Sequence, residues 1–70
     1  MFKNQKKLVQ SMYNVGETVE LEYMDDPYAP PMGTKGTITS IDDIGQIHVD
    51  WENGSSLALV YGVDKFKVIK

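Results

Sequence analysis

The apolar positions of this chain change period once. Ahead of residue 15 they are three and four apart: Leu8 and Met12 by four, Val9 and Met12 by three, with Phe2 and Tyr13 to either side. That spacing puts side chains on one face of a short helix. A helix so short needs a surface to pack on; without one, residues 1–14 are a frayed lead-in. From residue 15 the period is two. Val15, Glu17, Val19, Leu21 and Tyr23 share one face, and Gly16, Thr18, Glu20 and Glu22 the other. Apart from Glu17, this is the alternation of a half-buried strand.

Residues 24–33 interrupt the alternation with three prolines, which cannot donate to a ladder and hold their predecessors away from helix. They predict a rigid, extended loop, longer than a usual hairpin connection. Residues 34–41 are rich in β-branched side chains and predict a second strand. Asp42-Asp43-Ile44-Gly45 has the chemistry of a turn. Residues 46–52 give the cleanest strand, with Ile47, Val49 and Trp51 inward and Gln46, His48, Asp50 and Glu52 outward. Asn53-Gly54 predicts a tight hairpin of the kind that needs positive φ at both central residues. Residues 55–61 return as a fourth strand, residues 62–65 make a corner, and residues 66–69 close as a fifth.

Five short strands, one long first loop and tight later turns predict a mainly β domain over residues 15–70. The order of loops is that of a small Src-homology-3-like barrel, whose closure would remove exposed sheet edges. With 70 residues the chain holds one core. It has no cysteine, hence no disulfide, thiolate metal site or thiol nucleophile, which fits a reducing cytoplasm. No apolar stretch follows the basic start as in a secretory signal, and none is long enough for a membrane span.

Charge changes the picture more than composition does. The net charge is −3, but the signs are segregated. Lys3, Lys6 and Lys7 lie at one end and Lys65, Lys67 and Lys70 at the other, and between residues 15 and 64 ten acids face the single Lys35, a net charge of −9. There is no arginine. Phosphate recognition relies on several Lys and Arg, and guanine reading on bidentate Arg, so the body of the domain is a poor nucleic-acid surface. The terminal lysines are either solvated tails or one basic patch, if the ends meet in space.

The candidate chemistry is sparse. His48 is the only histidine, on the outward face of its strand, with no second ligand for a metal and no nucleophile to activate. Asp25-Asp26 and Asp42-Asp43 lack the alternating acids and closing glutamate of a calcium loop. Neighbours in an extended chain point to opposite faces, so neither pair shares a proton. The glycines show no phosphate-loop spacing. No metal, cofactor or catalytic residue is expected. The aromatic residues are what suggests binding: Tyr28 on the proline loop, Trp51 at the end of the third strand and Tyr61 at the end of the fourth. Tyr and Trp are favoured anchors in interfaces, though large aromatics dominate small cores, and for Trp51 the core is the favoured place.

Taken together, Met24-Asp25-Asp26-Pro27, Pro30-Pro31, Gly33-Thr34-Lys35-Gly36-Thr37, Asp42-Asp43-Ile44-Gly45, Trp51-Glu52-Asn53-Gly54-Ser55-Ser56-Leu57 and Tyr61-Gly62-Val63-Asp64 resemble a bacterial domain-of-unknown-function family, DUF4314. The resemblance runs over about residues 8–69. It implies a small protein of Gram-positive bacteria and their mobile elements, and no assigned activity. The family usually carries an aspartate where this chain has Glu52.

The functional expectation is a non-enzymatic interaction module for a protein or peptide, basic in character to suit the acidic span. Its expected site comprises Asp25, Asp26, Tyr28, Trp51 and Tyr61. The alternative is an accessory nucleic-acid binder that uses the terminal lysines.

Overall fold

A computed structural model describes residues 5–69. Helix α1 (Gln5–Met12) leads into strands β1 (Thr18–Tyr23), β2 (Lys35–Ile41), β3 (Gln46–Trp51), β4 (Leu59–Val60) and β5 (Lys65–Ile69). The strands form one antiparallel sheet in the order β4-β3-β2-β1-β5. The domain is mainly β with one short helix, as the periodicity predicts. The closure expected of a barrel is absent: β4 and β5 are the two edges, with no ladder joining them among the described residues. Instead Tyr13, just past α1, packs against Tyr61 after β4 (ring centroids 6.3 Å apart) and Phe66 on β5 (5.1 Å). Aromatic side chains link the two ends of the sheet where hydrogen bonds do not.

The core is built from the alternating residues. Val19 and Leu21 of β1, Ile38 of β2, and Ile47, Val49 and Trp51 of β3 are all buried. Leu59 of β4 and Val9 of α1 complete it. Gly36 of β2 lies in the ladder between Val19 and Trp51. A Cβ there would stand 2.5 Å from Val49 Cγ1 and 2.9 Å from Trp51 Cε3. The missing side chain is therefore what lets β3 lay Val49 and Trp51 over β2. A bulge between Ile38 and Ser40 then shifts the parity of β2, so that Ile41 again packs toward the core.

Four local expectations are corrected. Val9 is the helix residue that enters the core, while Leu8 and Met12 remain substantially exposed. The first strand begins at Thr18, not at residue 15: the Glu17 amide donates to the Asn14 carbonyl, and Val15 sits exposed on that turn. Glu17, the one exception to the alternation, marks the true boundary. The fourth strand shrinks to two residues because side chains occupy the backbone groups a ladder would use. Trp51 Nε1 donates to the Leu57 carbonyl, the Leu57 amide to Ser55 Oγ, and the Ser55 amide to Asn53 Oδ1. Polar residues that bond local backbone compete with a ladder in this way.

The fourth correction is the Asn53-Gly54 turn. Among the described residues only glycines have positive φ, Gly54 at 89°, so Asn53 is not left-handed. The Gly54 amide donates to the Trp51 carbonyl and the Trp51 amide to the Ser55 carbonyl. Glu52 and Asn53 are thus the central pair of an ordinary turn, and Gly54 is the left-handed residue that follows it. The 42–45 turn repeats the pattern: the Gly45 amide donates to the Asp42 carbonyl and the Asp42 amide to the Gln46 carbonyl.

Candidate functional site

The 24–33 loop is held by its own bonds. The Tyr28 amide donates to Asp26 Oδ1 (2.8 Å), the Ala29 amide to the Asp26 carbonyl, and the Thr34 amide to the Pro31 carbonyl. Pro30 is buried. The start of the loop faces the stretch where the chain enters and leaves β4. Between them lies an open cleft of about 420 Å³. Met24, Asp25 and Asp26 form one wall, and Leu57, Ala58 and Val60 another. Gln46, at the start of β3, and Val63 and Asp64, on the turn into β5, complete it.

The cleft joins an apolar surface to three carboxylates. Val60 and Val63 present exposed side chains, and Met24 is partly buried against the core. Asp64 Oδ2 accepts the Val60 amide at 2.8 Å, while the Val60 carbonyl accepts the amides of Val63 and Asp64. The ion pairs found among the described residues join Lys6 to Asp43, His48 to Asp42 and Lys67 to Glu20. None involves Asp25, Asp26 or Asp64. The cleft has acidic groups and no cation of its own.

The five expected site residues do not form one groove. Asp25 and Asp26 line the cleft. Tyr28 lies on the same loop, 82% exposed and outside the lining. Trp51 is 2% exposed and is therefore a core residue, not an anchor for a partner. Tyr61 is half-buried in the aromatic link with Tyr13. Asp64, which the sequence offered only as part of a corner, belongs to the cleft. Its signal was its position four residues after Val60, within reach of an edge-strand amide.

Comparison with protein families matches residues 3–69 to the domain-of-unknown-function family DUF4314. The chain belongs to that family. The match takes in α1, every strand and the whole of the cleft. No curated protein and no solved structure matches the chain.

The remaining polar constellations of this DUF4314 chain organise structure. Asp42 Oδ1 accepts the amides of Ile44 and Gln46, and its Oδ2 lies 3.0 Å from His48 Nε2. Burial pushes the Asp42 carboxyl upward, but the His48 hydrogen bond and the two amides outweigh it and hold the pKa below the ordinary 3.8. Burial, with Tyr61 and Glu17 nearby, raises the Tyr13 hydroxyl above 10.0. Among the described residues no three His, Asp or Glu converge as metal ligands, and no helix is long and apolar enough to cross a membrane.

Proposed function

We propose that this DUF4314 protein is a non-enzymatic interaction module, working in the bacterial cytoplasm, that holds a protein or peptide segment of basic character in the cleft between the proline loop and β4. The observation that carries this reading is the combination of exposed apolar side chains with three carboxylates that no cation among the described residues pairs, in a cleft of about 420 Å³. Recognition sites pair an apolar lining with a few polar groups that fix orientation. The loop's own hydrogen bonds and prolines reduce the entropy lost when a partner fixes it. The cysteine-free composition suits a reducing compartment, and an origin on mobile elements is the setting the family resemblance implies.

The test compares proteins captured from host lysate by the wild-type chain and by Asp25→Lys, a change at an exposed cleft residue whose carboxylate holds no hydrogen bond among the described residues and that should alter stability by no more than ~0.5 kcal/mol. Partners that bind the wild type and are lost from the variant support the cleft. An identical captured set, or a chemical-shift footprint centred on His48 and Asp50 and sparing the cleft residues, would refute it.

A further inference from the structure

Building on the cleft reading, we propose that the ligand is recognised through its side chains, one lysine or arginine laid along the cleft, and that Asp64 is the residue that imposes this mode. A sheet edge ordinarily invites an extended peptide to add as another strand. Here β4 is an edge, and the cleft lies beside it. Both backbone polar groups of Val60 are already satisfied inside the chain: Asp64 Oδ2 takes its amide, and the amides of Val63 and Asp64 take its carbonyl. The outer residue of this two-residue strand has nothing left to template a ladder.

What remains for a ligand is an apolar strip and a charged rim. Val60 is 36% exposed and Val63 66%. A lysine or arginine has the matching form, an aliphatic stem that lies on apolar surface and a charged head that stays at its edge. The rim supplies Asp25, Asp26 and Asp64, with no cation among the lining residues to compete. Asp64 therefore has two tasks. One oxygen seals the edge against strand addition, and its charge favours the basic head.

The two tasks separate experimentally. The full chain, labelled with nitrogen-15, is titrated with a blocked heptapeptide carrying lysine between two leucines, and with its norleucine counterpart. The lysine peptide should shift the amides of Asp25, Val60 and Val63 and bind about two- to fivefold more tightly than the neutral one at low salt, a preference that salt erodes. Asp64→Asn retains an acceptor for the Val60 amide, so that amide should stay protected from exchange while the preference for lysine falls. Asp64→Ala should lose the protection as well. Equal binding of the two peptides, an undiminished lysine preference in Asp64→Asn, or backbone contacts between peptide and Val60 would each overturn the inference while leaving the cleft in use. Shifts at the cleft that depend on protein concentration alone would assign it to a second copy of this chain and overturn it too. No shift with either peptide would remove the cleft reading itself.

Discussion

Single residues here shape the fold through backbone conformation and local bonds. At Gly54 the reason is conformational alone: φ is 89° and nothing lies within 4 Å of where a Cβ would be. Gly54→Val should cost on the order of 1 kcal/mol or more, since a β-branched residue resists that region. Its urea midpoint checks this, and a midpoint equal to that of the wild type would contradict the turn. Asp42 shows how a carboxylate stabilises a hairpin. Its folded pKa lies below 3.8, so the folded state prefers the charged form. The stability it contributes is complete above the unfolded value near 3.8 and is lost as pH falls through the folded value. Asp42→Asn should therefore be less stable than the wild type at pH 7. The difference between the two should narrow as unfolding is measured down through pH 4 to pH 3. A constant difference would mean that Asp42 acts through shape and not through charge.

Among the elements, α1 is the one whose face the spacing left open. Leu8 with Met12 and Val9 with Met12 are both helical pairs, yet Val9 is fully buried and Leu8 is 48% exposed. The choice follows from what lies on either side. The Tyr13 amide continues the helical bonding to the Val9 carbonyl, and the Tyr13 ring reaches Tyr61 and Phe66, so the Val9–Tyr13 side meets the sheet. Lys6 adds a surface contact to Asp43 on the β2–β3 turn. Val9→Ala should cost ~1–3 kcal/mol, whereas Leu8→Ala should stay within ~0.5 kcal/mol. Thermal melts of the pair decide the matter, and the reverse ranking would turn the helix over. The shortened β4 teaches the same lesson: the Asn53-Gly54 turn predicts a strand from residue 55, but the Trp51 indole and the Ser55 hydroxyl take up backbone groups over 55–58.

For the whole molecule, the separation of charge is the property that reaches farthest. A body with ten acids and one lysine between residues 15 and 64 repels phosphate. The lysines that could attract it are at the ends, and Lys3 and Lys70 lie outside the described residues. Fluorescence anisotropy with a labelled duplex should show no measurable binding at physiological salt. Any binding at low salt should disappear when Lys3, Lys6 and Lys7 are replaced by glutamine, as expected for counterion release. Substitution is preferable to deletion because the buried Val9 lies close behind. Tight binding by the triple variant at physiological salt would favour the nucleic-acid alternative over the cleft.

The sequence by itself determined the class of fold, the one long loop, the turn regions and most of the core. Period-two alternation places Val19, Leu21, Ile47, Val49 and Trp51 inward wherever one face of a sheet is covered, and Pro and Gly mark the chain's turns through their own φ. It also carried the acidic span and two residues of the cleft, Asp25 and Asp26. Only the tertiary structure decided what depends on groups distant along the chain. It left the sheet open and linked its ends with Tyr13, Tyr61 and Phe66, and turned Val9 inward. It also brought Asp64 to the cleft opposite Asp25 and Asp26, some forty positions away. Alternation reports that a residue has a buried side. Which surface covers that side, and which polar group finds the last free amide of an edge strand, are settled by long-range packing that no local pattern encodes.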